Sequence, residues 1–129
     1  MGDKPTPRPT DAELAILRVL WERGPSTVRE VHDALSQTHD SGYTTVLKLM
    51  QIMTDKGLVD RDESQRAHVY TSRYGEQRTQ RQLLGDLIER AFGGSPAKLV
   101  MQALSTTKAS AEDLTAIRHM LDQMEEEAR

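Results

Sequence analysis

A change of hydrophobic period in the middle of the chain constrains its fold more than any other sequence feature. Apolar residues recur at helical spacing up to Met53, whereas Leu58–Arg61 and Ala67–Thr71 are short segments rich in β-forming residues. The polar stretch Asp62–Arg66 joins them and predicts the tip of a β-hairpin. Three short helices followed by a two-stranded hairpin are typical of the winged-helix variant of the helix-turn-helix. We therefore predict a mainly α fold with a small β-hairpin.

Capping signals predict where the helices begin. Thr10–Glu13 and Thr27–Glu30 are capping boxes, in which a threonine hydroxyl and a glutamate carboxylate each accept a hydrogen bond from an otherwise unpaired backbone N–H. Ser95 and Ser110 are N-cap residues of two later helices. Residues 1–9 carry three prolines and no apolar periodicity, so we expect a disordered arm there. We predict a winged-helix DNA-binding domain over residues 10–75 and a helical domain over residues 76–129.

The C-terminal helices carry apolar residues that so short a segment cannot bury by itself. A chain of 129 residues with 36% hydrophobic residues would have a thin core as a monomer. We therefore predict that residues of about 76–127 form a homodimer. The apolar residues expected in this interface are Leu83, Leu84, Leu87, Ile88, Phe92, Leu99, Leu114, Ile117 and Leu121.

Composition removes several classes of function. The chain has no cysteine, which excludes disulfides, thiolate metal sites and cysteine nucleophiles. Its four histidines are scattered, and no phosphate-binding loop or hydrolase motif occurs, so we expect neither an enzyme nor a cofactor or metal site. No apolar run approaches the roughly 18 residues of a membrane span. We expect a cytoplasmic protein without membrane insertion.

The predicted third helix has a polar face suited to the major groove of DNA. Threonine, lysine and glutamine side chains supply donors and acceptors for base edges, and this helix docks in the groove in helix-turn-helix proteins. Net charge is only -3, and a local basic face suffices for DNA binding. The candidate contacts on this helix are Tyr43, Thr44, Thr45, Lys48 and Gln51.

The hairpin and the second helix supply further candidate contacts. Arg61, Arg66 and His68 lie on the hairpin, where a wing would reach flanking phosphates or the minor groove. Thr27 opens the second helix, whose N-terminal amides could receive a phosphate. We expect these residues to hold the DNA backbone while the third helix contacts bases.

Several motifs in one register resemble a known family. Pro9–Leu14, Val19–Trp21, Tyr43–Val46, Asp55–Val59 and His68–Tyr70 resemble the corresponding segments of the penicillinase-repressor family of BlaI/MecI-type transcriptional repressors. The resemblance covers about residues 9–127. It implies a homodimer whose winged-helix domains bind a palindromic, double-stranded operator and block transcription, in the context of antibiotic resistance.

The same resemblance implies a mode of release. In such families a membrane-bound sensor with a metalloprotease domain triggers cleavage of the repressor within its C-terminal helices, which weakens the dimer. The scissile region corresponds to Leu99–Leu104, and Gln102-Ala103 stands where the best-known members have Asn-Phe.

Two other functions are compatible with the residues. Winged-helix domains also serve as protein-interaction modules, which suits a sequence pI near 5.8. A ligand-responsive repressor would instead bind a small molecule between the wing and the dimerisation helices. Substitutions in the third helix test the first alternative, and thermal stabilisation by ligands tests the second.

Overall fold

Six helices and one β-hairpin follow one another in residues 7–129, the part of the chain described by the computed structural model. The predicted mainly α fold with a small hairpin is confirmed. The elements are α1 (Asp11–Arg23), α2 (Val28–Leu35), α3 (Tyr43–Lys56), β1 (Val59–Asp62), β2 (Val69–Ser72), α4 (Glu76–Ala91), α5 (Pro96–Thr106) and α6 (Ala111–Glu127).

Both predicted capping boxes are present. At α1, Glu13 N donates to Thr10 Oγ1 over 3.2 Å, and Thr10 N donates to Glu13 Oε1 over 2.8 Å. At α2, Thr27 and Glu30 make the same reciprocal pair. Gly57 ends α3 in the left-handed region with φ 83°, which favours a residue without a side chain. Local sequence signals thus determine where these helices begin and end.

The hairpin is antiparallel and begins slightly later than the sequence pattern predicts. Its register is Val59 opposite Ser72, Asp60 opposite Thr71, Arg61 opposite Tyr70, and Asp62 opposite Val69. Ser26 adds one further bridge, because its N–H donates to Tyr70 O over 3.0 Å and its carbonyl accepts from Tyr70 N over 2.8 Å. This bridge joins the wing to the residue just before the N-cap of α2.

The apolar core lies among α1, α2, α3 and the start of the hairpin. Val28, Val31 and Leu35 of α2 are buried. On α3, Val46, Met50 and Met53 are buried and Leu49 is half-buried. On α1, Leu14 and Trp21 are only half-buried. Trp21 Nε1 donates to Ser72 Oγ over 3.0 Å and to Tyr74 O over 3.1 Å, so its polar edge points to the end of β2. The buried apolar side chains are Ile16, Leu17, Leu20, Val28, Val31, Leu35, Val46, Met50, Met53, Leu58, Val59 and Tyr70.

An ion pair with a buried carboxylate connects α1 to the end of α3. The Glu13 carboxylate is 2% exposed, and Lys56 Nζ at the end of α3 donates to its Oε1 over 2.7 Å. Burial alone would raise the pKa of Glu13, but the hydrogen bonds from Lys56 and from the Thr10 backbone outweigh it and lower the pKa. The pair therefore fixes the end of α3 against the start of α1.

Two compact units divide the chain within α4. The first ends at Leu84 and contains the winged helix, and the second comprises Gly85–Arg129. No residue of the second unit is buried. Of the predicted arm, residues 1–6 lie outside the described residues, residues 7–9 form neither helix nor strand, and Pro9 is buried.

Candidate nucleic-acid interface

The recognition-helix candidates lie on the outer face of α3. Val46, Met50 and Met53 turn one side of the helix into the core. The polar candidates on the first half of α3 lie outside that buried stripe, since helical side chains face different sides of the helix with a period of 3.6 residues. Thr44, Thr45, Lys48 and Gln51 are all exposed, and Tyr43 is 38% exposed.

Asp60 and Asp62 of β1 are engaged by groups of the hairpin or of the residue directly after it. Asp60 Oδ1 accepts hydrogen bonds from Arg73 Nε over 3.0 Å and Nη2 over 2.7 Å. Asp62 Oδ1 accepts from Ser64 N over 2.9 Å, and this bond lowers the pKa of Asp62. These carboxylates therefore make local contacts and leave less negative charge directed at a ligand.

Arg61 is also held within the hairpin. Its Nη2 lies 2.6 Å from Glu63 Oε1. A hydrogen bond to the Tyr70 side chain, and then the charge of Glu63, raise the pKa of the guanidinium. Arg61 is thus the one wing candidate whose charge is already balanced by a carboxylate among residues 7–129.

A shallow groove of about 230 Å³ brings the candidates Thr27, Arg66 and His68 together with Tyr43. It lies between the start of α2, the start of α3 and the far side of the hairpin. Sequence reasoning placed these elements in one domain but did not predict that they share a groove. The lining residues that carry polar or cationic groups are Thr27, Arg29, Tyr43, Arg66, His68 and Tyr70.

Tyr43 makes two ring contacts at the edge of this groove. The guanidinium of Arg29 lies over its ring, with Cζ 4.6 Å from the centroid. His32 meets the same ring edge-on, with centroids 6.1 Å apart and an interplanar angle of 71°. Sequence reasoning did not select Arg29, because residues 14 positions apart give no periodic signal for a contact. A basic residue in the first turn of α2 was the only available clue.

Basic side chains differ in whether a carboxylate balances them. Within residues 7–129, Lys48 and Arg66 have no ion pair, and both are exposed. Lys56 and Arg73, by contrast, are each paired with a carboxylate at 2.7 Å. Positive charge without a carboxylate partner therefore lies on the outer face of α3, at Lys48, and at the wing tip, at Arg66.

The C-terminal candidates lie on α4, α5 and α6, apart from Phe92, which directly follows α4, and the structure buries none of them. Gln102 and Ala103 are exposed in α5, and the Gln102 carbonyl accepts from Ser105 Oγ over 3.1 Å and Thr106 Oγ1 over 2.7 Å. The half-buried candidates are Leu83, Ile88, Phe92, Leu99 and Ile117, and the exposed ones are Leu84, Leu87, Leu114 and Leu121.

The described part of the chain offers neither a metal-binding cluster nor a membrane-spanning helix. Among residues 7–129, no group of three or more histidine, cysteine or acidic side chains is arranged to hold a metal ion. No helix in this range is long and apolar enough to span a membrane.

Comparison with known proteins identifies the family. The sequence profile described as "Penicillinase repressor" matches residues 9–123. The chain belongs to the penicillinase-repressor family. This family member is 35% identical over 118 residues to the transcriptional regulator BlaI of Mycobacterium tuberculosis, covering 89% of this chain and 83% of the relative. It is 23% identical to the penicillinase repressor of Bacillus licheniformis, covering 93% of this chain and 94% of the relative.

Solved structures confirm the winged-helix fold of the first unit. The family member is similar to the solution structure of the DNA-binding domain of the repressor BlaI, with a TM-score of 0.51, 28% identity, and coverage of 57% of this chain and 90% of that one. It is equally similar to the monomeric form of Bacillus licheniformis BlaI in complex with the blaP half-operator, with a TM-score of 0.51, 28% identity, and coverage of 58% and 92%. The relatives carry the names of transcriptional regulators and repressors, which are not enzymes.

Proposed function

We propose that this family member is a homodimeric transcriptional repressor that binds a palindromic operator through α3 and the wing. The observation that carries the proposal is the position of Lys48 and Arg66, two exposed cations without carboxylate partners among residues 7–129, on α3 and the wing tip. A similar solved structure is described as BlaI on a half-operator, which supports DNA as the ligand.

In this proposal α3 reads the bases. Thr44, Thr45 and Gln51 present hydroxyl and amide groups, and Lys48 presents an ammonium suited to the acceptors of guanine. The buried residues on the opposite side of α3 and the Glu13–Lys56 pair hold the helix rigidly. A rigid helix keeps these side chains in one register against the base edges.

The wing and the start of α2 hold the DNA backbone. Arg66 and His68 contact phosphates flanking the bases that α3 reads. Thr27 already accepts from Glu30 N, so its contribution is to position the first turn of α2 and its open N–H groups. Arg61 contacts a phosphate after its ion pair with Glu63 breaks, and it keeps its hydrogen bond to Tyr70.

The C-terminal helices form the dimer. Their apolar side chains are exposed or half-buried in the single chain, and a second copy would remove them from water. Two winged helices held about one DNA turn apart, on the order of 34 Å, add their binding free energies on a palindrome. Loss of the dimer therefore releases the operator. Because the operator is in the cytoplasm, the repressor acts there.

A membrane-bound sensor protease supplies the release signal in this proposal. Gln102 and Ala103 are exposed in α5, so the peptide bond between them lies on an accessible helix. Cleavage there would separate α6 from the rest of the dimerisation region. Incubation of the repressor with membranes containing the sensor, followed by mass spectrometry of the fragments, would identify or contradict this site.

Operator binding is tested by titrating the full chain against duplexes from its own upstream region, with competitor DNA present and salt varied. Thr45→Ala and Lys48→Ala are expected to weaken binding by about 1–3 kcal/mol and leave the dimer mass unchanged. Lys98→Ala, an exposed lysine of α5, is the matched control and should bind as the parent does.

The outcomes separate the alternatives. Parent-like binding by Thr45→Ala and Lys48→Ala would contradict the assignment of α3 as the recognition helix. Binding without discrimination over competitor DNA at any salt would favour a protein-interaction module. Thermal stabilisation by a small molecule that also lowers operator affinity would favour a ligand-responsive repressor.

A further inference from the structure

Arg29 and Tyr43 are in contact, and neither the motifs nor the comparisons assign a function to this contact. Arg29 is exposed on α2, and its Cζ lies 4.6 Å from the centre of the Tyr43 ring. Tyr43 begins α3, so this contact joins the first turn of α2 to the first turn of the recognition helix. Both residues line the groove that also contains Arg66 and His68.

Arg29 has nearby carboxylates but pairs with none of them among residues 7–129. Asp33 is four residues further along α2, a spacing at which ion pairs form on helices, yet its Oδ1 lies 3.3 Å from His32 Nδ1. The Glu30 carboxylate accepts from Thr27 N over 2.9 Å and from Arg23 Nη2 over 3.3 Å. The Arg29 charge is therefore uncompensated and directed at the groove.

The ring contacts give this cation a fixed position. A cation–π contact holds a guanidinium against an aromatic face without using its N–H groups in hydrogen bonds. The N–H donors of Arg29 therefore stay available. His32 packs edge-on against the same ring, at 71° and 6.1 Å, and limits the movement of Tyr43. A pre-positioned guanidinium loses less side-chain entropy when it binds an anion.

The groove has the charge and the position of a phosphate site. Arg29 lies on one wall and Arg66 on the hairpin side, and the two come from elements far apart in the sequence. We infer that Arg29, held in place by Tyr43, is a clamp for a DNA phosphodiester at the junction of α2, α3 and the wing. Tyr43 is then a positioning residue for Arg29, and the base-reading part of α3 begins at Thr44.

This inference rests on the proposed function and is tested with the full chain on two duplexes, the operator and a scrambled sequence of equal length. Arg29→Gln is expected to weaken binding to both duplexes by the same factor, about tenfold. The slope of log affinity against log salt should become shallower by about 0.9, as for the loss of one phosphate contact. Arg18→Gln, which removes an exposed arginine of α1, is the matched control with a parent-like slope.

Variants of Tyr43 test the positioning role. Tyr43→Phe keeps the ring and should keep the parent's salt slope, whereas Tyr43→Leu keeps apolar bulk without the π face and should lose most of the affinity and of the slope that Arg29→Gln loses. The double variant Arg29→Gln, Tyr43→Leu should bind as Arg29→Gln does, because residues that act as one unit are not additive. The thermal unfolding midpoint of each variant is compared with that of the parent to show whether the variant is folded.

Each contrary result has a distinct meaning. An unchanged salt slope in Arg29→Gln, or a loss confined to the operator, would overturn the phosphate clamp. Equal losses in Tyr43→Phe and Tyr43→Leu would overturn the positioning role of the ring. Failure of the parent protein to prefer the operator would contradict the proposed function instead, and the clamp would still be decided on the scrambled duplex.

Discussion

The two compact units of the chain are both helical but differ in what they bury. The unit that ends at Leu84 encloses an apolar core with residues such as Ile16, Val31 and Met50 at 0% exposure. The unit Gly85–Arg129 contains the end of α4, all of α5 and all of α6, and it buries no residue. Met101 is 71% exposed and Leu121 is 53% exposed.

This difference in burial between the two units shows that a segment can have well-defined helix ends without having a core of its own. Ser95 and Ser110 cap α5 and α6 through their hydroxyl groups, as Thr10 and Thr27 cap α1 and α2. Caps contribute about 0.5–2 kcal/mol each, whereas isolated helices of this length are marginal in water without tertiary packing. The second unit therefore needs association to stabilise helices that its sequence already delimits.

The largest expected effect comes from charging the apolar face of α4. Leu87→Asp or Ile88→Asp would place an unpaired carboxylate in the proposed dimer interface, a change that costs about 3–5 kcal/mol per buried charge. We expect monomers in sedimentation equilibrium, with the Trp21 fluorescence of a folded first unit. Gln123→Asp, on an exposed position of α6, is the charge-matched control. A dimer that survives both α4 changes would place the interface elsewhere.

A smaller effect on the free energy of unfolding is expected when the same substitution, leucine to alanine, is made in each unit. Leu20 is 3% exposed and Leu121 is 53% exposed. Leu20→Ala should lower the free energy of unfolding by about 2–5 kcal/mol at every protein concentration, because it leaves a cavity within one chain. The effect of Leu121→Ala should grow with protein concentration, because only the associated form buries that side chain. Chemical unfolding at two protein concentrations measures both, and a concentration-independent loss at Leu121 would contradict the contrast.

Sequence reasoning succeeded where a signal lies within one element. The capping boxes at Thr10 and Thr27 and the N-cap residues Ser95 and Ser110 all depend on residues a few positions apart. Such spacing is fixed by helix geometry, so it can be read without knowing the fold. The order of elements then indicated the winged helix.

Contacts between elements were not predictable in the same way. Trp21 meets Ser72 across 51 positions, and Glu13 meets Lys56 across 43. The capping role of Glu13 was evident, but its burial depends on a lysine that no local pattern connects to it. The Arg29–Tyr43 contact and the pairing of Arg61 with Glu63 likewise determine which cations remain available, and both required the structure.

The smallest expected effect is the pH dependence of the first unit. The pKa of Glu13 lies below its ordinary value of 4.5 in the folded state, so the ionised pair with Lys56 stabilises the fold above that value and loses its contribution as pH falls through the folded-state pKa. Lys56→Met should cost about 1–3 kcal/mol near neutral pH, because a buried acceptor loses its donor. The stability difference between the parent and Glu13→Gln should shrink below about pH 4.5 in urea-unfolding series.

The matched control separates this ion pair from the general effect of removing a carboxylate. Glu126 is exposed in α6 and forms no ion pair within the described range 7–129, so Glu126→Gln removes the same charge without disturbing a buried group. A stability difference between parent and Glu13→Gln that stays constant through the acid range would show that the Glu13 carboxylate is not the titrating group. A pH-dependent stability difference seen with Glu13→Gln and not with Glu126→Gln would show that the two units differ in electrostatics as well as in burial. The first unit places a carboxylate in its core, whereas every carboxylate of the second unit is exposed except the half-buried Asp86.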